Sequence, residues 1–373
     1  MMCILEDVIP IGTPWGGPES NRYLSSFVSM LMKIEQHAGA EEELHRMHEK
    51  LYCLYLTITG IGVSVFWDER LAPLSDEQVV KRFCSDYIER SMAYAGYGYS
   101  VATRDDICAD ADAAKRRIAA SIDAGVPVLA CLGDSQWSIV TGYDDGDTLI
   151  GWDGAQTYWG PPAVKPDGYL ESQMFATASW PDTVSRFVIV EGKTAPQAAT
   201  CDVLRHLVSL MEQQRSKDYS KEFMARLQDD AYCASADQES LQNLWGYANQ
   251  YAGWYAENRA FAAVALTETL SAMADVRENA PFVDYLRRTA GYMFHTHDIS
   301  WEVWRVLRTT HRCNLPDNVP CGWCGGCLRP ADDGDYPAFR KAETRRKLAG
   351  YVQVMDWNDG KVLERLQKCL ELL

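Results

Sequence analysis

The chain has 373 residues, 47% of them hydrophobic, enough to bury more than one core. Its formal net charge of -16 argues against non-specific nucleic-acid binding, because phosphates need compensating Lys and Arg. The most apolar windows are too broken by polar residues and glycine to span a membrane, and MMCILEDVIPIG lacks the basic lead of a signal peptide, so a cytoplasmic protein is expected.

In chain order, a first helix is predicted after GTPWGGPES. Pro18 suits its first turn, Leu24, Phe27, Val28, Leu31 and Ile34 form its apolar stripe, and Gly39 suits its stop. His45 and His48, at i and i+3, share a face of what reads as a solvated amphipathic helix; no set of metal ligands at fixed spacing is evident around them. Leu51 to Trp67 is apolar, and Gly60 and Gly62 argue for a helix or loop feeding a strand. Residues 76–95 read as a helix, GYGYSVATRDD as a strand and turn, and DADAAKRRIAASIDAG as a helix with acids at its start and a glycine stop.

The period then changes. VPVLACLG reads as a buried strand, WSIVTGYDDGDTLIGWDG as two strands about the turn Asp144-Asp145-Gly146-Asp147, and SRFVIVEGK as another strand. From Cys201 onward the pattern is helical: CDVLRHLVSLMEQQR, then a long segment with Tyr251, Trp254, Tyr255, Ala262, Ala265 and Leu266 on a broadly common face. ISWEVWRVLRTT follows, with Asp298 or Ser300 as its cap, and a last helix ends at Leu373. Within that last stretch KAETRRKLAG reads as a solvated face. The fold class is therefore α+β over residues 1–193, with helices on an antiparallel sheet. An all-helical region over 201–373 follows, carrying a cysteine-rich loop at 311–330.

PVLACLGDSQWSIVTGYDDGDTLIGWDG resembles the second-half signature of papain-like cysteine peptidases of the bacteriocin-processing type, and of the related acyltransferase domain of butirosin biosynthesis. More closely, TITGIGVSVFW, IVTGYDDGDTLIGWD, DGYLESQMFATASWPD, AENRAFAAVAL and HDISWEVWRVL resemble a bacterial family of that superfamily with no assigned reaction. The resemblance implies a papain-like fold, with a catalytic histidine five residues ahead of a Gly-Tyr turn and an orienting aspartate ending the next strand. Those positions fall on Trp137, ahead of Gly142, and on Asp153. The nucleophilic cysteine is expected near Pro18 to Ser26, where Ser20, Ser25 and Ser26 stand and no cysteine does.

An indole N–H donates and accepts no proton, so Trp137 removes the general base a papain-like thiolate needs. Ser20 then reads as a helix cap, a ligand contact, a surface residue or, least well, a nucleophile. Asp153 reads equally as a ligand contact or a turn residue. Trp15, Trp152, Tyr158, Trp159 and Trp180 supply either the walls of a small-molecule pocket or packing between layers. Cys131, on the strand before Trp137, with His295 or His297, is the pair to inspect for a reassigned active site. The expected function is a catalytically silent domain keeping a cleft for a small molecule or peptide. The alternatives are an acyltransferase or amide hydrolase with a reassigned site, and a structural protein whose helical half makes a homodimer.

Of twelve cysteines, Cys313, Cys321, Cys324 and Cys327 cluster as CxxCxxC with one outlier and His311 nearby. Four thiolates can hold a structural zinc, although the spacing departs from the usual paired CxxC elements. An iron–sulfur cluster, a redox pair and reduced thiols in a surface loop are the other readings. No other cofactor is expected.

Overall fold

A computed structural model describes residues 2–8, 21–74, 76–133, 136–144, 148–153, 174–194, 198–307, 309–311, 328–330 and 337–373. They fall into two compact units, one within Met1–Tyr52 and Ser91–Gln197, the other within Cys53–Arg90, Ala198–Arg312 and Gly325–Leu373. A mixed helix-and-sheet region thus precedes a largely helical one, and no described helix is long and apolar enough to cross a membrane.

The first unit is built on an antiparallel sheet of seven strands. They are β1 (Cys3–Ile4), β2 (Tyr97–Thr103), β3 (Val128–Leu132), β4 (Gln136–Tyr143), β5 (Leu149–Asp153), β6 (Met174–Thr177) and β7 (Val184–Lys193). The order is β2-β7-β3-β4-β5-β6, with β1 also on β4. Strand alternation divides the sheet into two faces. One face, with Val128, Ala130, Val140, Leu149, Phe187 and Ile189, joins Ile107, Ile118, Ile122 and Trp180 in an apolar core. Ile107 comes from α5 (Arg104–Ala109), Ile118 and Ile122 from α6 (Ala111–Asp123), and Trp180 from the short α7 (Trp180–Thr183). Asp110 caps α6 by accepting from Ala113 N at 2.8 Å, and Gly125 at φ 82 ends it.

The other face receives α1 (Arg22–Ile34). Its Ncap is Asn21, whose Oδ1 accepts from Leu24 N at 3.0 Å, so the helix starts past Pro18. Every residue from Tyr23 to Met32 is buried, wider burial than one stripe predicts. Its stop is Gln36 at φ 56, with His37 N donating to Met32 O at 3.0 Å, and not Gly39. The first part of α2 (Glu41–Ile58) is amphipathic with a solvated face of Glu42, Glu43, Arg46, Glu49 and Lys50, while His45 and His48 lie on its buried face.

In the second unit, α2 ends in a left-handed Gly60 (φ 80) and a single 3₁₀ turn, Ile61–Val63. No described strand directly follows; Ser64 O and Phe66 O instead accept from Trp254 and Tyr247, and Val65 N donates to Gln214 Oε1. Residues 76–95 make two helices, α3 (Asp76–Phe83) and α4 (Tyr87–Ala95). Next come α8 (Thr200–Arg215), α9 (Tyr219–Gln228), α10 (Asp230–Ser235), α11 (Gln238–Val264), α12 (Ala280–Val306), the short α13 (Pro337–Arg340) and α14 (Ala342–Glu371). Helix α12 starts eighteen residues ahead of Asp298 and is capped by Asn279, so neither Asp298 nor Ser300 caps it. Arg345 corrects the solvated reading of KAETRRKLAG: it is buried, donates to Leu227 O at 3.0 Å and Phe339 O at 2.6 Å, and pairs with Asp230.

A buried ion pair ties α11 to α14. Arg259 Nε donates to Asp359 Oδ1 at 3.0 Å and Nη2 to Oδ2 at 2.7 Å. Its Nη1 donates to Gly62 O at 2.7 Å, and the guanidinium lies 4.6 Å from the Tyr255 ring centroid. The fork geometry satisfies the buried cation in a way that a lysine cannot.

Candidate functional site

Across β7, β3 and β4, three residues stand in one row on the α1 face: Arg186, Cys131 and Trp137 are successive register partners. Trp137 is 1% exposed and Cys131 is fully buried. The Trp137 ring meets Tyr23 of α1 edge-on at 5.0 Å between centroids, and the Arg186 guanidinium lies 5.3 Å from its centroid. Tyr23 is held by a 2.6 Å hydrogen bond between its hydroxyl and Ser91 Oγ. The indole at the expected base position is therefore a packed wall between an aromatic edge and a cation, an arrangement that orients both.

Next along the sheet, the α1 face continues on β5 through Ile150 and Trp152, the latter paired with Ile139 and 7% exposed. Asp153 is the register partner of Ser138, and its side chain lies outside the described residues. Ser138 Oγ donates to Ala130 O at 3.3 Å. Trp180 belongs to the other face, edge-on to Phe187 at 5.6 Å, so it and Trp152 do not share a wall. Trp15, Ser20, Tyr158 and Trp159 lie outside the described residues, as do Cys313, Cys321, Cys324, Cys327 and the side chain of His311. Among the described residues no group of three His, Cys, Asp or Glu side chains is arranged to hold a metal.

Behind the row, α1 and α2 bring together a serine and a histidine that the sequence analysis did not pair. Ser29 Oγ and His48 Nε2 are 3.1 Å apart, and His48 Nε2 is 3.3 Å from Ser25 O. The residue types are those of a nucleophile and a base, but both are fully buried inside a helix pair, where no substrate carbonyl reaches them. The spacing signal lay in view: Ser25 and Ser29 at i, i+4 on one helix face, His45 and His48 on the next helix. Ser26 Oγ is also buried, with no hydrogen-bond partner among the described residues.

His295 and His297 are engaged within the helical unit. His295 Nδ1 lies 3.2 Å from Asn358 Oδ1, and His297 lies 3.1 Å from Asp298 Oδ1 while its Nε2 accepts from Trp301 Nε1 at 3.0 Å.

No family profile, curated protein or solved structure matches the chain.

Proposed function

We propose that the first unit is a binding module on a papain-like frame, and that it holds a small molecule or a peptide without turning it over. The observation that carries this reading is Trp137: at the strand position where a papain-like base is expected stands a buried indole, clamped by Tyr23 and Arg186. An indole cannot take a proton from a nucleophile, and its packing leaves no room for a second base at the same point. The order helix, then antiparallel strands, with α1 laid on β3 and β4, also supports the frame.

The test is activity-based. The purified chain is expected to give no burst or turnover with activated esters and peptide amides, and no covalent adduct with fluorophosphonate or epoxide probes. Turnover that disappears in Ser20→Ala overturns the reading.

A second reading is favoured by one contact, the 3.1 Å approach of Ser29 Oγ to His48 Nε2. In it the chain is an acyltransferase or amide hydrolase with a reassigned site. A fluorophosphonate adduct mapped to Ser29, with activity lost in His48→Gln, carries that reading. Burial of both groups argues for the first.

A further inference from the structure

The sheet of the first unit ends on β2, whose one ladder partner among the described residues is β7. An edge strand is a template for another strand, and proteins blunt such edges with charge, proline, bulges or a covering element. The strand YGYSVAT carries neither charge nor proline. The irregularity of its ladder lies on the other strand: Gly98 pairs with Gly192 and Tyr99 with Val190, so the extra residue is Glu191 of β7. Near the middle of β2, Val101 is 37% exposed, one of the large apolar side chains that the fold leaves in solvent.

Two contacts fix what this edge presents. Thr103 N donates to Asp106 Oδ2 at 2.8 Å, away from β7. Peptide groups of an antiparallel strand point alternately toward a neighbour and away from it, so the N–H and C=O of Val101 also point outward. The Asp106 carboxylate, which accepts from Thr103 Oγ1 as well at 2.7 Å, therefore stands on the outer rim at the end of β2. Arg117 of α6 reaches the same strand three residues earlier, its Nη2 donating to Ser100 Oγ at 2.6 Å. The rim thus runs from a cation beside Ser100 to an anion beside Thr103. A strand laid antiparallel on it must carry these charges in the reverse order, and β2 of a second copy does so.

We infer that two copies of this chain join β2 to β2 about a two-fold axis at Val101, so that the sheet continues from one copy into the other. Val101 faces the partner's Val101, and Ser100 faces the partner's Ala102. Thr103 falls opposite the partner's Tyr99, which brings Asp106 beside the partner's Arg117. The two valine side chains cover each other and their peptide groups exchange both hydrogen bonds. The contact is isologous, so association closes at two copies. It uses the sheet edge of the first unit and nothing of the helical unit.

Sedimentation velocity of the full chain up to about 200 μM is expected to show a monomer–dimer equilibrium in the micromolar range of a small interface. Val101→Lys sets two like charges face to face and is expected to weaken the dimer at least about tenfold. Arg117→Glu sets an acid beside Asp106 and is expected to weaken it about threefold. Both positions are exposed in the single copy, so both variants are expected to keep the parent's circular dichroism. Cysteine cross-linking reads the register. Directly opposed Cα atoms in such a pair stand about 5.5 Å apart and diagonal ones about 7–8 Å, against a disulfide span of about 4.4–6.8 Å. Mild oxidation is therefore expected to give a reducible covalent dimer with Val101→Cys, and none with Ser100→Cys or the parent. A parent that stays monomeric at every concentration overturns the inference, as does an edge that takes up a β-strand peptide while the chain stays monomeric. A dimer left intact by Val101→Lys, or cross-linked no better through Val101→Cys than through Ser100→Cys, overturns it too.

Discussion

Asp359 shows how much one side chain can carry in the helical unit. Arg259 is fully buried, and its charge is met by one carboxylate, two backbone carbonyls and a tyrosine ring. Removing the carboxylate leaves the cation buried and unpaired, so Asp359→Ala is expected to cost about 3–5 kcal/mol in chemical denaturation. The double change Arg259→Met with Asp359→Leu is expected to cost less than Asp359→Ala alone, because no charge is then left in the core. Trp137 carries weight of another kind. Its indole fills the space between α1 and the sheet, and Trp137→Ala is expected to cost about 3–5 kcal/mol by the same measurement. His206 makes a pH prediction. Burial foremost, and Arg90 next, push its imidazole below the ordinary histidine value. The unfolded chain, near pH 6.5, therefore binds a proton more readily than the folded one. Its contribution is complete above about pH 6.5 and is lost as the pH falls toward the lowered folded value. Thermal melts from about pH 7.5 to 5.5 are expected to show a steeper loss for the parent than for His206→Gln. At this scale the sequence was legible where a local run decides the backbone, as with Trp137 at the start of the WSIVTGY strand. It was not legible for Arg259 or Gln214, whose partners lie in distant segments, or for His45 and His48, whose polar flanks hid their burial.

Elements were readable wherever local rules decided them. The acids before α6 and the glycine after it marked its ends, and short apolar runs bounded by turn residues marked β3, β4, β5 and β7. The rules failed where tertiary packing decided. Gly39 was the obvious stop for α1, yet Gln36 adopts the left-handed conformation two residues past the helix. Asp298 and Ser300 looked like caps because polar residues interrupt the apolar run, but α12 is long enough to carry them in its interior. The end of α2 is set by Gly60 for two reasons at once. Its φ is 80, and a Cβ would stand 2.6 Å from Leu210 Cδ2 and 2.8 Å from His206 Nε2. Gly60→Ala is therefore expected to cost about 2–4 kcal/mol, more than the backbone term alone, read as a shift in denaturation midpoint. Gly151 is tighter still, since a Cβ there would meet Ile139 O at 2.1 Å and part β4 from β5.

For the whole molecule, the net charge of -16 sets one expectation: fluorescence anisotropy with a DNA duplex at about 150 mM salt shows no binding. Composition and period together made the α+β-then-helical order legible. The grouping of Cys53–Arg90 with residues after Ala198 was not, because no local pattern in TITGIGVSVFW names its partners. Those partners arrive late. Tyr247 donates to Phe66 O, Trp254 to Ser64 O and Arg259 to Gly62 O, across 181, 190 and 197 residues. At roughly 5–20 residues per second, a ribosome needs about 10–40 s to make that intervening chain. Through that interval the carbonyls of the 62–66 turn and the Phe66 ring wait without the helix that covers them. A chain stopped before α11 never completes this turn, so the helical unit matures only after synthesis has passed Arg259, and a nascent chain stalled earlier presents an apolar segment to chaperones or proteases.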